Sequence, residues 1–151
     1  MHRFFAHRKF WRFHSVHHSD CYLDTSTMLR VNAIDELVLN LPIILLAGAL
    51  SLPSLIIYNY RLIGFIIGCF QHSNLRLPSK LDYILAKVIN TPKTHAVHHT
   101  ADKSFYDSNF ASIFTIWDHL FGTFKYTDKL AGNYGTTLNK IEIIDYLTGI
   151  K

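Results

Sequence analysis

From Leu37 to Phe70 the chain is apolar almost without interruption, broken by Asn40, Pro42, Ser51-Leu52-Pro53-Ser54, Asn59 and Arg61. A single helix through all these positions would far exceed the about 20 residues that cross a bilayer. The Ser-Leu-Pro-Ser break predicts two shorter helices instead, roughly 36–50 and 54–70, joined as a hairpin. The same pattern would suit two buried helices of a soluble protein. Before the apolar run, residues 2–20 are basic, aromatic and rich in histidine, with nothing that breaks a helix, and a polar stretch at 20–35 connects the two regions. After it, Leu81–Ile89 reads as a short amphipathic helix, and Thr91-Pro92 ends it and opens the next. A loop at 101–107 leads into Asn109–Leu120, where Phe110, Ile113, Phe114, Trp117 and Leu120 follow helical spacing and Gly122 is placed to end the helix. Residues 126–140 are polar, and 141–147 suit a helix or a strand equally.

Composition favours the membrane alternative. The 151 residues suffice for one ordinary domain. Apolar residues make up 49% of them, and mean hydropathy is +0.13 despite a net charge of +4. Arg3, Arg8, Lys9 and Arg12 precede the apolar run, and Arg76, Lys80 and Lys87 follow it. Two positive flanks put both ends of the hairpin on the cytoplasmic side. They also account for the basic pI without nucleic acid. The expected fold is therefore all-α: an integral membrane helical hairpin with a cytoplasmic-side helical cap. Cys21 and Cys69 have no metal or redox spacing, and Cys69 reads as a small hydrophobe.

The ten histidines change the picture most. His-x-x-His-His occurs twice, as His14-Ser-Val-His17-His18 and as His95-Ala-Val-His98-His99. On a helix, positions i, i+3 and i+4 share a face, so each motif aims three imidazoles at one point. A hairpin between the motifs returns the chain to the side it left and lets them meet. His2, His7 and His72 would raise the set to nine. One zinc site is closed by about four ligands, so nine imidazoles fit two ions. Imidazole alone does not choose among iron, copper, zinc and nickel. The Glu-x-x-His pairs of carboxylate-bridged di-iron bundles are absent from the sequence.

The stretches HRFFAHRKFWRFHSVHHSD (2–20), FQHSNLRLP (70–78) and TPKTHAVHHTADKSFYDSNFASIFTIWDHLFGTF (91–124) resemble the fatty acid hydroxylase superfamily, also called the sterol desaturase family, and its bacterial branch in particular. The last stretch is the most specific, since His-x-x-His-His is followed by DSNF and by W-D-x-L-F-G-T. The resemblance implies a membrane-bound oxidoreductase that uses O2 to hydroxylate or desaturate a lipid, such as a fatty acid or sterol. It implies two iron ions, with zinc as a substitute. Electrons would come from a separate donor, of the cytochrome b5, ferredoxin or reductase kind. The metal ligands it implies are His2, His7, His14, His17, His18, His72, His95, His98 and His99. The expected location is a bacterial inner membrane, or the endoplasmic reticulum if the chain is eukaryotic.

Asn74, Asp107 and Asn109 are candidates for orienting ligand rings through the distal ring N–H. Asp107 is also a natural N-cap for the helix expected after it, the role its position favours. His119 stands where the family commonly has arginine and is assigned no ligand role. The family-like domain is expected at 1–126, with a C-terminal tail at 127–151 and an incomplete N-terminus. Two departures stand out. The first pair is spaced His2-x4-His7, one residue more than the bacterial branch, which fits an α-helix poorly. Asn32-Ala33 replaces a His-Pro often found before the hairpin. A metal-binding remnant without activity and a zinc hydrolase are the competing readings; the latter lacks a general base near the motifs, since Glu36 and Glu142 are both remote in sequence.

Overall fold

The computed structural model describes residues 2–102, 104–129 and 132–135, so the element expected at 141–147 and most of the expected tail lie outside the described residues. The chain runs through α1 (His2–Phe4), a π turn (Phe5–Lys9), α2 (Trp11–His14) and two 3-10 turns (His17–Ser19 and Thr25–Leu29). It continues through α3 (Ala33–Ala49), α4 (Ser54–Gln71), α5 (Ser79–Ala86), α6 (Pro92–His98) and α7 (Ile116–Leu120). Among the described residues there are isolated bridges at Ile89–Phe114 and Thr100–Tyr134 but no strand, in keeping with the all-α expectation.

The apolar run forms α3 and α4, split where the Ser-Leu-Pro-Ser break predicts. The Asn32 side chain accepts the Ile34 N–H at 2.8 Å and caps α3, and Asp35 and Glu36 fill the first turn, where the helix dipole favours acids. At the other end Ser51 takes a φ of +50°, and Pro53 leads into α4. Arg61 of α4 donates hydrogen bonds to Glu36 and Asn40 of α3. Only α4, at 18 residues, is long and apolar enough to cross a membrane among the described residues. Its partner α3 is one residue shorter, at 17 residues, and has two acids in its first turn.

The apolar side chains of this pair form little of the core. Leu45 is 61% exposed, Leu55 66% and Ile66 57%. The buried hydrophobic residues are mostly small, among them Ala6, Ala47, Ala86, Ala96 and Val97, whereas the largest fully buried side chains are His98 and His99.

Two expectations about local structure are corrected. Residues 2–20 are not one helix but short α, π and 3-10 pieces. The π turn is closed by the Phe10 N–H donating to the Phe5 carbonyl at 2.7 Å, an i to i+5 bond. Wider turns of this kind absorb an extra residue. Here the turn takes up the long His2-x4-His7 spacing and brings the two rings to 5.0 Å between centroids.

The helix expected over 109–120 is confined to α7. Asn109 lies at φ +50°. The Asp118 carboxylate accepts the N–H groups of Phe110 and Ala111 at 2.8 and 2.9 Å and the Thr123 hydroxyl at 2.6 Å. The side-chain amides of Asn90 and Gln71 donate to the carbonyls of Ala111 and Ser112 at 2.7 and 2.6 Å. Side chains thus satisfy backbone groups that a helix would pair internally, and 109–115 becomes an irregular strap. Asp107 consequently caps no helix and instead faces Arg8 at 3.5 Å.

Candidate metal centre

Each histidine is placed by a local device. Thr91 and Thr94 form a reciprocal capping box at the start of α6, with Pro92 in the first turn. This fixes the helix that presents His95 and His98, while His99 forms its C-cap. His14 closes α2, and His17 and His18 open the following 3-10 turn. His72 is the C-cap of α4. That end of α4 packs closely on the 3-10 turn at 25–29, since a Cβ on Gly68 would stand 2.5 Å from the Met28 sulfur.

The nine expected histidines meet in two groups. His2, His7, His14, His18 and His98 form one, and His17, His72, His95 and His99 the other; within each group the ring nitrogens lie within 4.8 Å of one another. The groups adjoin, with the rings of His18 and His99 stacked at 4.3 Å. Neither motif supplies a single group: each is divided between both.

The outward nitrogens are held by acceptors. Nδ1–H of His2 donates to the Phe110 carbonyl at 3.0 Å, that of His17 to Arg30 at 3.3 Å, that of His72 to Gly68 at 2.7 Å and that of His98 to Ser108 at 2.7 Å. His14 Nδ1–H donates to the Asp35 carboxylate at 2.8 Å. The neutral rings of His2, His17, His72 and His98 thus spend their hydrogen outward and turn a bare Nε2 inward. Yet Nε2 of His2 stands 3.0 Å from Nε2 of His14, and Nε2 of His17 stands 3.1 Å from that of His72. In the His17–His72 pair the two neutral rings oppose lone pairs, which a shared cation would relieve. Nitrogens at right angles about an ion at about 2.1 Å are themselves about 3.0 Å apart. Among the described residues, neither ring nitrogen of His7 has a hydrogen-bond partner, nor do the buried Nε2 of His18 and His98 and Nδ1 of His99. The residues present therefore fit metal ions.

Burial, and then the neighbouring imidazoles, hold His2, His7, His17, His18, His95 and His99 well below the usual histidine range. Burial also pushes His98 down to about 3, with the Ser108 carbonyl opposing it. These rings stay neutral at pH 7, the form that binds metal.

The candidate orienting residues fall elsewhere. Asn74 is exposed in the loop after His72. Asn109 is buried, but its amide donates to the carbonyls of Thr94 and Lys125 at 2.9 and 2.8 Å and pins the strap. His119 is exposed and stacks on Phe124 at 4.1 Å. The carboxylate that does hold a ring, Asp35, is not singled out by sequence; its only signal is its place in the first turn of an apolar helix. A cavity of about 880 Å³ reaches the first group at His2 and is otherwise lined by Phe4, Phe110, Trp117, Phe121 and the bases Arg3 and Arg8, among others.

Paired histidine groups in this sequence context define a class: the chain belongs to the fatty acid hydroxylase family, whose match covers residues 1–123. Alkylglycerol monooxygenase from Caenorhabditis elegans is 35% identical over 118 residues, covering 77% of this chain and 22% of that protein. The Danio rerio alkylglycerol monooxygenase is 33% identical over 139 residues, covering 88% of this chain and 29% of its own length. An ornithine lipid hydroxylase from Rhizobium tropici is 31% identical over 126 residues, 78% of this chain and 35% of the relative. The chain thus spans well under half the length of these relatives. No solved structure matches it.

Proposed function

We propose that this chain forms the dimetal core of a membrane-bound lipid hydroxylase, with two iron ions held by its nine clustered histidines. His2, His7, His14, His18 and His98 are assigned to one ion, and His17, His72, His95 and His99 to the other. The observation that carries the reading is the convergence of nine ring nitrogens in two groups, with the bare nitrogens of His17 and His72 opposed at 3.1 Å and their Nδ1–H groups committed outward. When bound, iron supplies the activation of O2: one oxygen atom enters a C–H bond as hydroxyl and the other leaves as water, consuming two electrons from a separate donor and two protons. The chain's own residues orient the ions and keep bulk water from them. The cavity beside His2 offers aromatic walls to a hydrocarbon chain. Hydroxylation is favoured over desaturation because the relatives are a monooxygenase and a hydroxylase of lipids by name.

The exposed apolar side chains of α3 and α4 support insertion of this pair into a bilayer. Histidines before α3 and after α4 share both groups, which supports both ends of the pair lying on one side of the bilayer. The basic flanks support the cytoplasmic side.

The test is metal analysis of the purified chain in lipid nanodiscs, followed by incubation with long-chain alkyl lipids, O2 and a reductant. About two irons per chain and a product heavier by one oxygen atom are expected. Two irons without oxidised lipid would overturn the hydroxylase reading and leave a metal-binding protein. A single zinc with ester cleavage would replace it with hydrolysis.

A further inference from the structure

The five outward-bonded rings differ in one respect. Those of His2, His17, His72 and His98 donate to neutral backbone carbonyls, whereas His14 donates to a carboxylate. Asp35 is 2% exposed, and its second oxygen has no hydrogen-bond partner among the described residues. Burying a carboxylate in this way is costly unless charge nearby offsets it. The first turn of the 17-residue helix α3 provides part of that offset. The remainder points through the His14 ring to its Nε2, which faces the first histidine group.

We propose that Asp35 is a positioning residue for the metal centre: through His14 it fixes one ring and strengthens it as a ligand, making the two ion positions chemically unequal. The inference rests on assigning metal to the two histidine groups. A charge-assisted bond is roughly twice as strong as one to a carbonyl. A carboxylate behind a ligand histidine locks its tautomer and raises its basicity. The strengthened position is the one that includes His2, and therefore the one beside the cavity. The four-histidine group has His17 and His72 backed by carbonyls alone.

The experiment uses the full chain loaded anaerobically with Fe(II) and titrated with a chelator while bound iron is counted. Wild-type protein is expected to lose its two ions in separate steps. Asp35→Asn keeps an acceptor oxygen but removes the charge, and is expected to weaken one step by about 10- to 100-fold while leaving the other in place. Asp35→Ala, lacking charge and acceptor, should weaken the same step at least as far. Both steps moving together, or neither moving, would overturn the proposal. A second measurement needs no variant: in zinc-loaded wild-type protein the His14 ring N–H proton resonance should lie downfield of those bonded to carbonyls. A position among them would also overturn it. Wild-type protein that takes up neither metal would remove the metal reading itself, and this inference with it.

Discussion

The histidine chamber and the α3–α4 pair reverse the usual distribution of polar and apolar residues. In the chamber, His98, His99, Asn90, Thr91, Thr94 and Asp118 are all at least 98% buried. Along α3 and α4, Leu37, Leu45, Leu46, Leu55, Ile63 and Ile66 stand more than half exposed. Water as the only solvent would favour neither arrangement, because buried polar groups need partners and large apolar patches need cover. The proposed function gives the two regions two different surroundings: ions within the chamber and lipid around the helices. Each half of the comparison can be broken separately.

Removing metal should have the largest effect. If ions hold the chamber together, a chelator takes away a ligand bound only by the folded state. At ligand concentrations about 1,000-fold above Kd such binding contributes about 4 kcal/mol, or about 10–15 °C in Tm for a chain of this size. Thermal unfolding before and after chelation measures it. His99→Ala should release at least one ion and remove most of the chelator effect. A Tm indifferent to chelator would mean that the rings sustain one another without ions.

Acid probes the same chamber in the metal-free protein. The folded state keeps these rings neutral, with His98 lowered to about 3, whereas in the unfolded chain they take up protons near 6.5. Between those values the unfolded state binds more protons, so stability is fully present above about pH 6.5 and falls as pH falls. Each such ring contributes a slope of about 1.4 kcal/mol per pH unit below 6.5. Urea unfolding at pH 7.5 and 5.5 should show a loss larger than one ring explains. Equal stability at the two values would contradict burial of the neutral cluster.

The half proposed to face lipid is tested by Leu45→Asp. Leu45 is 61% exposed, so in water the change should alter stability by no more than about 0.5 kcal/mol. At the centre of a membrane-inserted helix it costs about 2.5–3.5 kcal/mol. Vesicle flotation of the two proteins separates these cases, and equal membrane partition would argue against lipid around α3. Asp118→Asn should cost a comparable or smaller amount, about 1.5–3 kcal/mol, because three donors lose a charged acceptor. Its further consequence is specific: the strap that offers the Phe110 carbonyl to His2 should loosen, seen as faster amide exchange at 110–111.

The parts of this comparison were unequally visible in the sequence. The apolar run and its Ser-Leu-Pro-Ser break place α3 and α4 to within a few residues, because helix interruption by proline is a local effect. The nine histidines were also legible, since motif spacing and the return of the chain both bear on them. Their division was not. Each His-x-x-His-His motif serves both groups, and that partition depends on how α2, α4 and α6 cross. The apolar spacing of the strap at 109–115 imitates a helix, while the bonds that unmake it come from Gln71, Asn90 and Asp118, distant or later in the chain. Asp35 was hidden for a similar reason. In sequence it is an ordinary first-turn acid, and only the folded chain brings it to His14.

The smallest predicted effect concerns the Thr91–Thr94 capping box, where the comparison becomes local. Both threonines are fully buried, and each hydroxyl takes the other residue's N–H, at 3.3 and 2.8 Å. Losing an N-cap hydroxyl costs about 1 kcal/mol, within a range of about 0.5–2. Thr91→Ala should therefore lower Tm by about 2–8 °C, and Thr91→Ser, which keeps the oxygen, by less. Helix α6 is only seven residues long, with too few internal bonds to hold its own direction. Yet His95, His98 and His99 are also fixed by contacts with rings from other elements. If those contacts dominate, Thr91→Ala lowers stability while metal content remains that of the wild type. If the cap sets the helix direction, metal affinity falls in step with stability. Measuring both in the same preparation decides whether the chamber is positioned by its helices or by the convergence of its own rings.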